Sequence, residues 1–483
     1  MAESLTNKTV HGIAWNSLDR VANYGISFLV SIVLARLLSP EDYGLIGLIN
    51  IFIAIFNVIL DGGLSTALIR KQNVNDTEYN TVFYTNLFVS VILTLTLFFG
   101  APLISGFFKR PELVPILKAM SFILVINAFA IVQQSILTKR INFKDQTKVS
   151  LIAHIGSGII GISLAFLGFG VWALVAQQLS SRILATFLLW FYAKWVPKMV
   201  FSWNSFKDLF GFSWKLLVSR FINSLWGQLY QGVIGKCYSA HTLGLYTRAV
   251  QYAQLFSNGV SDVVLKVSLP VMTTIQQEDE RLLSATRKII KTTMFVTISV
   301  MMWMAASARN LVFVLIGEQW LDCVPMLQIL CFNLVLNPLY YINENLLTVK
   351  GRSDKILVLQ FFKIAITVIP LLLGIFVDVY YMLIGSAVAC WILFFLYTYY
   401  TNMYYGYSPS QQFKDILPSI VLALLMAVPV YILSYIPISG YIILPLQIIL
   451  GVCLVLSMGH FFKLEEYAFV KETLKNFVKK RNH

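Results

Sequence analysis

Long apolar runs follow one another along the chain and are separated by short polar connections. Each run has about 20 residues, the length that an α-helix needs to cross the hydrocarbon core of a bilayer. The strands of a membrane barrel would instead alternate apolar and polar positions over about ten residues. The pattern therefore predicts an all-α polytopic membrane protein with about 14 transmembrane helices.

Polar residues interrupt some of these runs on a single helix face. In the first run, Asn16, Arg20 and Asn23 are followed by Ser27 and Ser31, always three or four residues apart. Residues at this spacing share one face of a helix. The second, seventh and eighth runs carry similar faces, which would converge on one water-filled cavity. The predicted lining residues are Asn23, Ser27, Ser31, Asn57, Ser224, Gln228, Gln231 and Asn258.

The polar faces occur twice because the chain contains an internal repeat. Residues 12–45 resemble residues 211–245, with Arg20 matched by Arg220 and the Gly-Leu pair at 44–45 matched by 244–245. Two related bundles of six helices are predicted, as in transporters whose path lies between their repeats. The predicted domains are an N-terminal lobe (1–210), a C-terminal lobe (211–404), two additional helices (405–462) and a basic tail (463–483).

Composition and charge agree with a membrane location and give an orientation. The chain is 58% hydrophobic and 12% charged, and its formal net charge is +14. Lys and Arg are concentrated in alternate connections, such as 139–148 and 281–291, whereas 39–43 and 317–323 contain none. Since cytoplasmic loops are enriched in Lys and Arg, both termini are predicted to face the cytoplasm. Membrane topology and anionic lipid therefore explain the positive charge, and nucleic acid is not a predicted partner.

Several cations lie inside the apolar runs, where an isolated charge is unfavourable. Arg20 and Arg220 are the predicted anion-binding residues, with Arg248, Lys215 and Arg182 as further candidates. These cations outnumber the carboxylates of the runs, so the cavity needs an anionic ligand. The planar guanidinium is suited to phosphate. The alternative is an internal ion pair, such as one between Arg20 and Asp61, that only connects helices.

Four carboxylates in the apolar runs are candidates for coupling transport to a proton or sodium gradient: Asp61, Asp262, Asp19 and Glu344. Burial raises the pKa of a carboxylate, which then exchanges a proton at accessible pH. A purely structural role remains the alternative for each of them. The five cysteines have no paired spacing, so neither a disulfide framework nor a metal site is predicted, and no cofactor is expected.

No sequence pattern indicates an enzyme. The chain has no Walker A loop, no Ser/His/Asp arrangement and no metal-ligand spacing. Outer loops of a dozen residues or fewer are too short for the catalytic loop of a glycan polymerase or ligase. The sequence therefore predicts a secondary transporter or flippase.

Five segments resemble the polysaccharide-export flippases of the multidrug/oligosaccharidyl-lipid/polysaccharide superfamily, most closely the Wzx-type branch that includes WzxC and TuaB. They are LARLLSPEDYGLIGL (34–48), DGGLSTALIRK (61–71), QSILTKRINFKD (134–145), GFGVWALVAQQL (168–179) and LGLYTRAVQY (243–252). The resemblance implies a V-shaped fold in which helices 1, 2, 7 and 8 line a cationic cavity. It also implies that Arg20 matches an essential arginine of the lipid II flippases.

The same resemblance implies a function. Such flippases carry undecaprenyl-diphosphate-linked glycans (precursors of O-antigen, capsule or exopolysaccharide) to the outer leaflet of the bacterial inner membrane by alternating access. The expected partners are this anionic lipid-linked glycan and membrane lipid, with the polysaccharide polymerase and assembly machinery as candidates. Two alternatives stay open: a cation-coupled multidrug exporter of the same fold, and an uncoupled lipid scramblase.

Overall fold

The computed structural model describes residues 25–468 and residue 471, except for the side chains at 258, 260, 262–267, 270, 271 and 353. All regular secondary structure within this part of the chain is helical, which confirms the predicted all-α class. Contacts divide the chain into two compact units, and the boundary in the sequence lies between Gly244 and Leu245. Each unit is described separately below.

The first unit contains eight helices in its described part. Their bounds are α1 (Gly25–Leu37), α2 (Pro40–Asp61), α3 (Leu64–Arg70), α4 (Asp76–Phe108), α5 (Leu113–Lys139), α6 (Phe143–Phe166), α7 (Val171–Ala193) and α8 (Trp203–Cys237). Helices α4 and α5, α5 and α7, and α6 and α7 pack as neighbours, and α2 packs against both α5 and α8. A core around Leu68, Phe83, Ile136 and Leu209 joins α3, α4, α5 and α8 in this unit.

Most of the second unit is also helical. Its helices are α9 (Ala240–Thr274, which begins in the first unit), α10 (Asp279–Ile316), α11 (Val324–Leu334), α12 (Asn337–Val349), α13 (Ser353–Phe376), α14 (Val379–Tyr405), α15 (Pro409–Ile432) and α16 (Gly440–Phe461). Helix α10 packs along α15 and α16, and α13 packs along α14. Short 3₁₀ turns at Glu318–Cys323 and Leu433–Tyr435 precede α11 and follow α15.

Local sequence signals fix several helix ends. Ser39 caps α2 in a reciprocal box with Asp42, and Pro40 occupies the first turn, where a missing N–H costs nothing. Asn75 and Glu78 form the same arrangement at the start of α4. Gly406 ends α14 in the left-handed conformation, with φ of 69°.

Among the described residues, eleven helices are long and apolar enough to cross a membrane, one of them formed by α11 and α12 together. The multi-pass membrane prediction is therefore confirmed. Helices α8 and α9, each 35 residues long, are not among the eleven. The count of 14 spans stays a prediction, as does the predicted lobe boundary at residue 210. By packing, α8 belongs to the first unit.

Candidate substrate site

Two consecutive glycines form the turn between α2 and α3. Gly62 and Gly63 both have positive φ, 55° and 74°, in the left-handed region that favours glycine. A Cβ on Gly63 would lie 3.0 Å from the carbonyl oxygen of Ser213, so the turn also allows the backbone of α8 to approach closely. The Asp-Gly-Gly sequence at 61–63 thus brings α8 to the end of α2.

This approach places Arg220 of α8 beside Asp61 of α2. Arg220 Nη1 donates to Asp61 Oδ2 at 3.0 Å, and Nη2 donates to Thr66 Oγ1 at 3.1 Å. The side chain of Arg220 is 48% exposed, whereas that of Asp61 is 23% exposed. A guanidinium has five N–H donors, so one that uses two of them and remains half exposed can still bind an anion.

An amide pair lies one turn before Asp61 on α2. Asn57 donates to the carbonyl of Ile53 at 2.8 Å, and Asn127 of α5 donates to Asn57 Oδ1 at 2.8 Å. Asn57 was a predicted lining residue, but Asn127 was not predicted, because it is a single polar residue in an apolar run without a periodic partner. Its only sequence signal is that an amide in a membrane span requires a hydrogen-bond partner.

The other described residues of the predicted polar faces have mixed exposure. Ser27 is half-buried and Ser31 is buried, while Ser224, Gln228 and Gln231 are half-buried along α8. These three α8 residues lie on the same helical face as Arg220, as their spacing predicts.

Two further candidate cations, Lys215 and Arg182, do not pair with Asp61. Lys215 is exposed, and its Nζ lies 5.9 Å from the centroid of the Trp214 ring. Arg182 is exposed on α7. Neither forms an ion pair with any carboxylate in the described part of the chain, so neither takes the place of Arg220 beside Asp61.

The other predicted site residues lie outside the described residues or in the second unit. Arg20, Asp19 and Asn23 lie outside the described residues, as do the side chains of Asn258 and Asp262 on α9. In the second unit, Arg248 is half-buried on α9 and Glu344 is half-buried on α12.

A second set of contacts joins the start of α8 to α3 and α4. Lys71 donates to Glu78 and, at 3.0 Å, to Asp208 of α8. Hydrogen bonds raise the pKa of Lys71 above its ordinary value, and the bond to Glu78 contributes more than the bond to Asp208. The guanidinium of Arg70 lies 4.1 Å from the ring centroid of Phe212. The Ile-Arg-Lys end of the 61–71 segment therefore binds the first turns of α8.

The other end of α8 shows a reciprocal contact between the two repeated segments. A Cβ on Gly44 would lie 1.8 Å from the carbonyl oxygen of Ala240, and a Cβ on Gly244 would lie 1.8 Å from that of Pro40. The equivalent residues, Gly44 with Gly244 and Pro40 with Ala240, are 200 positions apart, as expected for two repeated segments that meet across a local two-fold axis. The caps also correspond, since Ser239 accepts from the N–H of Thr242 as Ser39 does from that of Asp42.

A family model for polysaccharide biosynthesis proteins matches residues 33–325, which is more than half of the chain. The chain belongs to this family. The match includes α2 to α10 and therefore both the Arg220 contact and the paired glycines.

Three curated relatives each match about 70% of the chain. The succinoglycan biosynthesis transport protein ExoT of Rhizobium meliloti is 27% identical over 69% of this chain and 68% of its own. The teichuronic acid biosynthesis protein TuaB of Bacillus subtilis is 24% identical over 73% of each chain. The lipopolysaccharide biosynthesis protein WzxC of Escherichia coli is 23% identical over 73% of this chain and 72% of its own.

Solved structures confirm the fold. The lipid II flippase MurJ in an inward closed conformation superposes with a TM-score of 0.75 at 15% identity, covering 93% of this chain and 99% of that one. An inward-facing multidrug resistance MATE transporter superposes with a TM-score of 0.57 at 17% identity, covering 84% and 94%. The family member thus has the fold of the superfamily that its sequence resembles.

The second unit of this family member contains an apolar groove of about 350 Å³. It runs between α10, α15 and α16, with Trp303, Met426 and Val455 among its lining residues. Trp303 is held by a hydrogen bond of 3.0 Å from its Nε1 to the carbonyl of Gln447. Gly451 has no side chain to fill the space in front of this indole. The groove therefore suits an uncharged, apolar part of a ligand.

Proposed function

We propose that this protein moves undecaprenyl-diphosphate-linked oligosaccharide units from the cytoplasmic to the outer leaflet of a bacterial inner membrane. It acts as a secondary flippase by alternating access, and a proton or sodium gradient drives it. Both termini face the cytoplasm. The family and the flippase fold support glycan translocation, and the polysaccharide polymerase would receive the product on the outer side.

The observation that carries this proposal is the half-exposed Arg220. Its guanidinium is held in place by Asp61 and Thr66, yet almost half of the side chain remains accessible. A planar fork fixed in this way is preorganised for a diphosphate, which accepts parallel hydrogen bonds from it. A site for cationic drugs would need the opposite charge at this position.

Alternating access requires a contact that closes one side of the path and then opens. The reciprocal fit of Gly44 on Ala240 and of Gly244 on Pro40 supplies such a contact on the side with few basic residues, which we assign to the outside. It buries backbone against backbone without side chains between them. Two rigid helix ends can separate there without rearranging a packed core.

Transport by the purified protein in proteoliposomes tests the proposal. A fluorescent undecaprenyl-diphosphate oligosaccharide in the inner leaflet should become accessible to a reagent in the outer medium, and an imposed ion gradient should accelerate this. Equal movement in both directions without any response to a gradient would identify a scramblase. Transport of cationic dyes but not of the glycan would identify a multidrug exporter and contradict the proposal.

The apolar groove is expected to hold part of the prenyl chain, which predicts a specific effect of filling it. Val452 lines the groove and is 52% exposed, so Val452→Trp should slow transport several-fold by occupying that space. Val428 of α15 is similarly exposed, at 57%, and does not line the groove, so Val428→Trp is the matched control. Transport rates for long and short prenyl chains would measure the effect. If Val452→Trp slows the transport of substrates with long and with short prenyl chains equally, the groove does not hold the prenyl chain.

A further inference from the structure

The membrane span formed by α11 and α12 is broken in its middle. The helix is interrupted at Val335–Leu336, and Pro338 follows in the first turn of α12. Proline has no N–H, so it cannot donate to the carbonyl four residues earlier, which is that of Leu334. Ser257 Oγ donates to this carbonyl at 2.9 Å, and Cys390 Sγ donates to the carbonyl of Asn333 at 2.9 Å. Other side chains thus replace the bonds that the break removes.

Broken spans in transporters often mark binding sites for substrates or ions. Here the half after the break carries three consecutive polar residues at 343–345. Asn343 exchanges hydrogen bonds with Gln412 and accepts one from Thr401, and Asn345 donates to Ser268 at 2.8 Å. Both amides are buried and belong to neutral networks. Glu344, between them, is the ionisable member of the three.

Glu344 is bound by donors on two neighbouring helices. Its Oε1 accepts from Tyr397 Oη of α14 at 2.9 Å and from Gln360 Nε2 of α13 at 3.3 Å. No described residue donates to Oε2. Glu344 lies six residues before Lys350, or about 9 Å inside the end of the span. It is therefore a carboxylate within the membrane that has one oxygen satisfied and the other available.

The surroundings of Glu344 favour a proton over a metal cation. Lys363 of α13 is close enough to act electrostatically on the carboxylate, yet it forms no ion pair with a described residue. This charge repels a bound sodium ion, and both donors direct hydrogens rather than lone pairs at Oε1. A proton on Oε2 neutralises the carboxylate and needs no further ligands, whereas sodium needs several oxygens.

Among the described side chains, tyrosines are the further titratable groups in contact around Glu344. Tyr340, on the same helix, packs against Tyr397 with ring centroids 5.1 Å apart and donates to the carbonyl of Cys390. Tyr341 also lies on α12 and interacts with Tyr397. On the side of α10, Asp279 pairs with Lys350 at 3.1 Å, just beyond the end of α12. Glu344 is the acidic residue of α12.

We propose that Glu344 is a proton-binding site through which the proton gradient drives the second unit, and this rests on the proposed transport function. Oε2 takes a proton from water on the outer side and releases it on the cytoplasmic side, so no other bond forms or breaks. Protonation removes the negative charge of Glu344, which Lys363 balances, and makes Oε2 a hydrogen-bond donor. Asp61 does not compete for this role, because its charge is already paired with Arg220.

Glu344→Gln imitates the protonated state and tests the proposal directly. In proteoliposomes, the wild type should transport glycan faster when a pH gradient is imposed. Glu344→Gln should lose this acceleration completely, so that the rates with and without the gradient become equal, while it still exchanges glycan without a gradient. Asp354→Asn is the matched control, since Asp354 is an exposed carboxylate in the first turn of α13 that pairs with Arg352, and its acceleration should equal that of the wild type.

Tyr397→Phe gives a second test that does not remove the carboxylate. The tyrosine hydroxyl stabilises the ionised form of Glu344, so its loss increases the proton affinity and keeps Glu344 protonated to higher pH. The midpoint of the pH dependence of transport should therefore rise by about one unit. An unchanged midpoint would contradict the role of Glu344. A lower midpoint would also contradict it, because the tyrosine hydroxyl would then favour the protonated carboxyl group.

Two further measurements separate this proposal from the transport function. If a sodium gradient drives wild-type transport and a proton gradient does not, the proton site is wrong although the flippase function stands. If the wild type moves no glycan, the proposed function fails. Infrared difference spectra during a pH titration still test the site, because the carbonyl band of a protonated carboxyl group should be present in the wild type and absent in Glu344→Gln.

Discussion

Arg220→Ala is expected to abolish glycan export without lowering the amount of protein in the membrane. The guanidinium supplies charge-assisted hydrogen bonds, each of which contributes about 1.5–3 kcal/mol. Losing one such bond to a diphosphate weakens binding by about 10- to 150-fold. The protein should still fold, because Asp61 is partly exposed and can be solvated when its partner is absent. Arg20→Ala is expected to have the same outcome.

A charge exchange distinguishes an anion site from a purely structural ion pair. The double variant Asp61→Arg with Arg220→Asp restores an attractive pair but moves the cation from α8 to α2. If the pair only connects the helices, export should recover relative to Arg220→Ala. We expect that it does not recover, because the guanidinium no longer occupies the position fixed by Thr66.

Two measurements complete this test. Export of labelled glycan from cells gives the activity, and immunoblotting of membranes gives the protein level. Lys198→Ala is the control, since Lys198 is an exposed cation that pairs with Asp76 at 3.5 Å, and its export should be normal. Normal export by Arg220→Ala would show that the central assignment is wrong.

The sequence predicted Arg220 and Asp61 separately but did not predict their pairing. Helical spacing shows that both residues lie on polar faces, and it suggested Arg20 as a partner of Asp61. The described partner is Arg220, because the left-handed turn at Gly62 and Gly63 brings α8 to the end of α2. Periodicity identifies the face of a helix but not the helix that packs against it, so this contact could not be predicted.

Fold class was predictable because membrane spans must satisfy their own backbone, which leaves a strong signal of length and hydropathy. Which residues share a polar helix face was predictable where their spacing repeats along the chain, as for Gln228 with Arg220. Asn127 was missed because one amide has no period. The broken span at Pro338 was missed because a proline within an apolar run indicates a kink but not which side chains replace its hydrogen bond.

The second large effect is expected at the paired glycines. A methyl group on Gly44 would lie 1.8 Å from the carbonyl oxygen of Ala240, and one on Gly244 would lie 1.8 Å from that of Pro40. The neighbouring atoms are backbone and cannot move aside as a side chain would. Gly44→Ala and Gly244→Ala should each prevent the two repeats from meeting, and the reciprocal geometry predicts equal effects. Both variants should lose transport.

Accessibility of a buried position shows whether the contact has opened. Leu48 is 1% exposed and packs against Gly235 next to the paired glycines. Leu48→Cys would be labelled with a membrane-impermeant maleimide from outside, after the exposed Cys237 and Cys453 are replaced by serine. Overpacking costs about 1–3 kcal/mol. This cost corresponds to about 5- to 150-fold in the closing equilibrium, so labelling should accelerate within that range.

Gly100→Ala is the control for these variants, because Gly100 is a helical glycine of α4 with no atom within 4 Å of an added Cβ. It should leave both labelling and transport unchanged. If Gly44→Ala is labelled as slowly as its parent and transports normally, the two repeats do not need to meet at this position. If Gly44→Ala accelerates labelling and Gly244→Ala does not, the contact is one-sided. Equal acceleration by both would identify the repeated Gly-Leu pairs as two halves of one outer closure.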